Sequence, residues 1–371
     1  MKIAIIGTRG IPNHYGGFEQ FAEYVSVGLV NKGHEVTVYN SHTHPFKEDN
    51  FKGVNIIHCK DWEEKIGTSG QFIYDLNCIL DTRKRNFDII LQLGYTSSSI
   101  WSRFFPKNAI LTTNMDGLEW KRTKYSSKVQ AFLKYAEKLA VKHSDHLISD
   151  SIGIQEYIET KYNVNSTYIP YGATIFNSPD LQEIKNYNLE AYNYDLLIAR
   201  LEPENSIEII LDGVSKATNS RTFLVIGKHE TKYGLYLKEK FKNCQKIVFL
   251  GGIYNQNTLN NLRYFSNIYF HGHTVGGTNP SLLEAMASSS LICANDNIFN
   301  EAILENDAYY FKTENDVTHI LNNKISKESN TFTNNNLNKI KLKYAWETII
   351  DAYENHFKTI LQPSLKITKL F

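Results

Sequence analysis

Two short apolar runs, KIAIIG at residues 2–7 and YDLLIAR at 194–200, each open an alternating train of strand-like and helix-like segments. An apolar run of this length, stopped by a turn, reads as a strand buried on both faces, the parallel-sheet case. After the first run comes a glycine-bearing loop, GTRGIPNHYGGFE. Phe18, Phe21, Ala22, Val25 and Leu29 then fall at helical spacing, and Gly33 closes that helix before a second strand. This is a βαβ unit, the opening of a doubly wound sheet. VNIIHC, FDIILQLG, AILTTN and DHLISD read as further strands, and 127–142 as an amphipathic helix. YIPYGA (168–173) breaks regular structure at its proline, and the polar stretch 174–192 reads as a linker. From 194 the pattern restarts. Strands YDLLIAR, TFLVIG, KIVFLG, NIYFHG, SLICAN and AYYF alternate with helices at 206–217, 231–242, 256–263, after Asn279, and at 299–304. The Asn-, Ser- and Lys-rich stretch 322–338 reads as a mobile connection, and KLKYAWETIIDAYENHF as a closing helix. The expected fold class is α/β: a Rossmann-like domain over 1–173, a second over 190–335, and a helical segment over 336–371. Open α/β sheets bind ligands at the carboxyl ends of their strands, so the two domains are expected to share a crevice.

Bulk properties narrow the function. A chain of 371 residues suits two domains of about 100–200 residues each. Lys+Arg 40 against Asp+Glu 39 gives a net charge of +1, too balanced for a general nucleic-acid binder. Cys59, Cys78, Cys244 and Cys293 are scattered, with no zinc-ligand spacing and no disulfide framework, as in a reducing cytoplasm. The N-terminal apolar run is too short for a signal peptide. No stretch approaches the roughly 18 apolar residues of a transmembrane helix. The expected location is cytoplasmic, soluble or peripheral to the inner face of a membrane.

The stretch HGHTVGGTNPSLLEAMA, residues 271–287, carries the most chemistry. Asn279 suits an N-cap and Pro280 the first helical position. Gly276 and Gly277 let backbone amides approach a ligand closely. A helix N-terminus offers partial positive charge and free donors, so its natural tenant is an anion, best a diphosphate. Glu284, one turn in, can accept hydrogen bonds from a ribose. An ordinary capped helix with a solvated glutamate accounts for the same residues.

These residues, with ARLEPEN before them and YGGFE near the start, resemble glycosyltransferase family 4, a retaining group of GT-B fold that uses nucleotide-sugar donors. IGTRGIPNHYGGFEQF, TNMDGLEWKR and HTVGGTNPSLLEAMA are similar to a bacterial subgroup containing β-1,4-rhamnosyltransferases of polysaccharide assembly. The resemblance covers nearly the whole chain. It implies a C-terminal helix packing back toward the first domain, no cofactor and no metal. It also implies a nucleotide-sugar donor, here dTDP-L-rhamnose, and a lipid-diphosphate-linked saccharide acceptor.

Two positions depart from the family pattern. Glu284 matches the second glutamate of a family pair whose first member touches the donor sugar; the first falls on Gly276. Arg200 matches a diphosphate-gripping arginine, while the family's lysine falls on Asn205, so Lys228 is the candidate substitute. The resemblance makes Asp116, Arg200 and Glu284 the catalytic candidates. Gly16, Gly17, Lys228, His271, Gly276, Gly277, Thr278, Asn279 and Ser281 are donor-binding candidates, and Glu119 and Asp150 acceptor-binding candidates. Asp116 before Gly117 equally suits a plain turn, and Asp150 a cap or hinge. The first loop lacks the G-x-G-x-x-G spacing, and the second strand ends at Asn40 rather than an acid, which argues against a nicotinamide enzyme.

Residues 101–142 interleave Arg103, Lys107, Lys121, Arg122, Lys124, Lys128, Lys134, Lys138 and Lys142 with Trp101, Phe104, Phe105 and Trp120. Only Asp116, Glu119 and Glu137 oppose them. Such a patch suits anionic lipid headgroups, or equally a solvated helix face over core aromatics. Two rival functions share this architecture: a nucleotide-sugar epimerase, and a catalytically silent nucleotide-sugar-binding protein.

Overall fold

The computed structural model describes residues 1–14, 16–122, 125–323, 325–327 and 330–362. The chain forms two compact units. The first comprises Met1–Trp120, Tyr125–Tyr171 and the segment from Trp346 onward; the second comprises Lys121–Lys124 and Gly172–Ala345.

The first unit is built on β1 (Lys2–Ile6), β2 (Glu35–Ser41), β3 (Asn50–Phe51), β4 (Val54–Cys59), β5 (Ile89–Leu93), β6 (Ile110–Asn114), β7 (His146–Ser149) and β8 (Thr167–Tyr168). They lie in the order β3-β4-β2-β1-β5-β6-β7-β8, with every pair parallel except β3 with β4. Ile3, Ala4 and Ile5 pair with Val36, Thr37 and Val38 on one side and with Ile89, Ile90 and Leu91 on the other. These strands are mostly apolar because both faces are covered; every residue of β5 is buried, Gln92 included. Helix Gly17–Asn31 lies against helix Trp346–Ile360. There Phe21 meets Tyr353 edge-on at 5.1 Å, Tyr24 stacks on Trp346 at 4.5 Å, and Gly28 admits the Ile350 side chain. The last helix is thus part of the first unit's core.

The second unit carries β9 (Tyr194–Ile198), β10 (Thr222–Ile226), β11 (Ile247–Gly251), β12 (Tyr269–His271), β13 (Ile292–Asn295) and β14 (Tyr309–Phe311). Their order is β11-β10-β9-β12-β13-β14, all parallel. Leu197, Phe223, Val225, Phe270 and Cys293 form its core. The strand order reverses between β9 and β12, as it does between β1 and β5 in the first unit. Among the described residues no helix is long and apolar enough to cross a membrane.

From Phe332 on, the stretch 322–338 corrects its reading as a mobile connection; Lys324, Glu328 and Ser329 lie outside the described residues. Phe332–Lys339 is a helix, in which Asn336 is fully buried and donates to the Asp307 carbonyl at 2.8 Å, while Lys339 pairs with Asp307 at 2.7 Å. Its asparagines and lysines bind protein carbonyls and carboxylates, so polar composition did not mean solvation. Within 174–192, Leu181–Lys185 is a short helix capped by Asp180. Helix Glu314–Asn322 opens on a reciprocal capping box between Thr313 and Asp316.

Candidate functional site

The switch point of the second sheet is where an open α/β sheet binds ligands. The chain is pressed tightly there. A Cβ on Gly272, just past β12, would lie 2.0 Å from the Asn205 carbonyl oxygen, and one on Gly227, just past β10, would lie 2.1 Å from that of Ala199. Asn205 is buried and donates its side-chain amide to the Arg200 carbonyl at 2.8 Å. The residue at the family's lysine position therefore braces the loop after β9. Arg200 and Lys228 both stand exposed, just past the ends of neighbouring strands β9 and β10.

Helix Pro280–Ala287 begins as expected, but its first turn is already satisfied. Asn279 Oδ1 accepts from the Ser281 amide at 2.9 Å, and the Asn279 carbonyl accepts from Leu282 at 3.0 Å and Leu283 at 3.2 Å. Pro280 has no N–H to give. The Ser281 amide, an expected phosphate donor, is here taken up by the Asn279 side chain. Thr278 is buried. Gly276 takes φ +139°, with no atom within 4 Å of a Cβ placed there, so this loop has both the room and the backbone freedom to meet a ligand.

Glu284 reaches inward. Its carboxylate pairs at 2.7 Å with Arg263, a side chain almost wholly buried. Arg263 also donates to Asn260 Oδ1 at 3.3 Å and to Ser281 Oγ at 3.4 Å, and Ser281 Oγ shares a 2.9 Å hydrogen bond with the Tyr269 hydroxyl. Sequence reasoning passed over Arg263. The available signal was its place four residues after Leu259, on the buried stripe of helix Gln256–Phe265.

His271 is buried at the end of β12 and stacks on His273 at 4.4 Å with 16° between the rings. Burial first, then His273 and Arg263, push the His271 pKa well below the usual histidine range. His273 is pushed down to about 3 by burial, then by Arg200 and Arg122, with Glu202 opposing. Both imidazoles are neutral at physiological pH. The His273 carbonyl is held by the side chains of Asn297 at 3.0 Å and Asn300 at 3.2 Å, and Thr274 Oγ1 donates to the Glu204 carbonyl at 2.8 Å.

In the first unit, Gly16 caps helix Gly17–Asn31 without a side chain. The loop before it is tied by buried Glu19, which accepts from Thr8 Oγ1 at 3.1 Å and the Arg9 amide at 2.8 Å. Asp116 follows β6 in the left-handed region, φ 51°, its amide bound to Asn114 Oδ1 at 3.1 Å. Asp150 follows β7 and is buried. Tyr171 draws these together: burial first, then Asp116, Asp150, Tyr353 and Glu19, raise its hydroxyl pKa. The fold thus gathers Asp116, Asp150 and the unforeseen Glu19 about one tyrosine. Glu119 lies in a single turn, Glu119–Lys121, and with Asp116 acts on Tyr95.

The basic aromatic stretch resolves into two environments. Glu137 is a buried hub, accepting from Tyr162 at 2.6 Å, Tyr157 and Lys161 at 2.8 Å, and Trp120 at 3.0 Å. Trp120 in turn lies under Lys134 at 4.4 Å. Trp101 donates to the Phe72 carbonyl at 2.8 Å, and Phe105 packs on the core. Lys121 and Arg122 belong to the second unit, where Arg122 approaches Glu204 at 3.6 Å. Lys124 lies outside the described residues. Exposed together remain Arg103, Lys107, Lys128, Lys138 and Lys142, with Phe104, Val129 and Tyr135. Among the described residues no group of three or more His, Cys, Asp or Glu could hold a metal ion.

This architecture is the GT-B fold. The chain is similar in structure to a sucrose-phosphate synthase from Thermosynechococcus elongatus, with TM-score 0.78 and 16% identity, over 97% of this chain and 98% of that one. It is similar to a glycosyltransferase from Rickettsia africae, with TM-score 0.74 and 14% identity, over 98% and 99%. It is also similar to HepE of Anabaena, solved in complex with UDP and glucose, with TM-score 0.74 and 14% identity, over 97% and 100%. At the sequence level, residues 1–174 match a family model described as a domain of unknown function, DUF1972. No curated protein matches the chain.

Proposed function

We propose that this chain is a retaining glycosyltransferase that moves a sugar from a nucleotide-sugar donor to a hydroxyl of an acceptor saccharide. The observation that carries the reading is the switch point of the second sheet. Two exposed cations, Arg200 and Lys228, stand there at adjacent strand ends, in the unit whose glycine loop leads into the Asn279-capped helix. That arrangement suits a diphosphate. HepE, of the same fold, is described with UDP and UDP-glucose. In this reading Glu284, held by Arg263, accepts from the nucleotide's ribose, and Asp116 orients the acceptor hydroxyl with Asp150 and Glu119 nearby.

The bond from the anomeric carbon to the diphosphate oxygen breaks as the bond to the acceptor oxygen forms. The acceptor's proton passes to a diphosphate oxygen, so attack on the leaving group's own face retains configuration without a protein nucleophile. Negative charge grows on the departing diphosphate, and Arg200, Lys228 and the amides at Gly276 and Gly277 stabilise it. The finer assignment is dTDP-L-rhamnose as donor and a lipid-diphosphate saccharide as acceptor, in bacterial surface-polysaccharide assembly. The exposed basic face around Lys128, Lys138 and Lys142 would rest on anionic lipid.

The test offers purified protein a panel of nucleotide sugars with a synthetic lipid-diphosphate saccharide, read by mass spectrometry. Addition of one deoxyhexose from dTDP-rhamnose is expected. Addition of another sugar would keep the transferase and discard rhamnose. Conversion of a sugar nucleotide without acceptor would replace the reading with an epimerase, and binding without turnover with a silent binding protein. Arg200→Ala should cut turnover by about 100-fold or more, the size of a lost charge-stabilising group, and Glu284→Ala should also lower it, through the lost ribose contact. Unchanged turnover in both would remove this site.

A further inference from the structure

Around the end of β12, four buried nitrogen atoms have no hydrogen-bond partner among the described residues: both ring nitrogens of His271, Nδ1 of His273 and Nε of Arg263. Buried polar atoms nearly always find partners, so a cluster of four calls for one. Their carriers adjoin one another. Arg263 acts on the charge of His271, His271 stacks on His273 at 4.4 Å, and His273 feels Arg200 and Arg122. Burial above all, with guanidinium groups acting on both rings, keeps either imidazole from taking a second proton.

That neutrality selects the partner. A neutral imidazole carries one N–H donor and one lone-pair acceptor. An ionised diphosphate can take the N–H but has no proton for the lone pair. A hydroxyl satisfies both. The loop 274–277 beside the pair is half-buried rather than packed, and Gly276 and Gly277 give it backbone freedom. We propose that His271 and His273 form a hydroxyl-recognition pair that reads the donor's sugar rather than its diphosphate, the glycine loop moving aside to admit it. This rests on the reading that the second unit holds a nucleotide sugar. It assigns to His273 a role that the sequence did not suggest.

Calorimetry on the full chain tests it, with UDP, UDP-glucose, dTDP and dTDP-L-rhamnose as probes. His273→Phe and His271→Phe keep a flat ring for stacking and remove the nitrogens. The variants should bind the two nucleoside diphosphates within about twofold of wild type. They should bind the accepted nucleotide sugar about 3- to 10-fold more weakly, the size of one or two neutral hydrogen bonds. Equal weakening of both ligand types, or of neither, would overturn the proposal. So would a rise in thermal midpoint with the sugar's contribution intact, since the nitrogens would then be meeting only internal water. If His271→Phe fails to fold, the half-buried His273→Phe carries the same test. Wild-type protein that binds none of the four probes would remove the glycosyltransferase reading itself, a different result from an unselective loss.

Discussion

Asp75 is buried in helix Gly70–Thr82, where Ser97 donates to it at 2.5 Å. Burial is the largest cause pushing its carboxyl up to about 7; Asp61 adds to it, while Ser97 and Arg9 pull the other way. An acid whose folded pKa lies above its unfolded value binds more protons folded than unfolded in between. Stability from Asp75 is therefore present near pH 4 and lost as pH rises through 7. Asp75→Asn should be more stable than wild type at pH 8, by an amount on the order of 2–4 kcal/mol, and the gap should close towards pH 4. Urea titrations at the two pH values measure it, and a gap that does not change with pH would refute the assignment. Arg263 makes the opposite case. Arg263→Met leaves the Glu284 carboxylate without its buried partner, and because Glu284 is itself partly exposed the cost should be about 2–3 kcal/mol, below the full buried-pair penalty. Restoring near-wild-type stability in Arg263→Met/Glu284→Gln would confirm that the loss is the stranded charge.

At the scale of elements, the helix that opens at Pro280 depends on one side chain. Asn279→Ala removes the cap on Ser281 and should cost about 1 kcal/mol, or roughly 2–4 °C in the unit's melting temperature. The helix pair of the first unit depends on a missing one. A Cβ on Gly28 would lie 2.3 Å from Ile350 Cδ1. Gly28→Ala should therefore destabilise by about 1–3 kcal/mol despite alanine's better helix propensity, with Gly28→Ala/Ile350→Ala recovering part of the loss. A neutral or stabilising Gly28→Ala would show that the two helices can part at little cost.

At the scale of the molecule, the first unit is closed by residues far away in sequence. Tyr353 donates no core strand, yet its hydroxyl accepts from Asn114 at 3.0 Å and its ring meets Phe21; His356 bonds Thr112 at 3.2 Å. A chain ending at residue 345 should lose the first unit's cooperative transition while the second unit, every segment of which lies before residue 346, keeps its own. Differential scanning calorimetry separates the two transitions, and two retained transitions in the truncated chain would contradict this account.

Local rules made much of this legible in the sequence. Apolar runs bounded by glycine announced the parallel strands, and Asn-Pro after two glycines announced the capped helix, because strand burial and capping act within a few residues. What no local pattern could supply was pairing across distance. Glu284 meets Arg263, His271 stacks on His273 between arginines, and Glu19, Asp116 and Asp150 converge near Tyr171. The same blindness misread the part of 322–338 where buried Asn336 binds the Asp307 carbonyl, and in 101–142 it left open which groups turn inward, as Glu137 and Trp120 do. A side chain's charge and hydrogen-bonding capacity are written in the sequence. Whether water or protein answers them is settled by what the fold brings alongside.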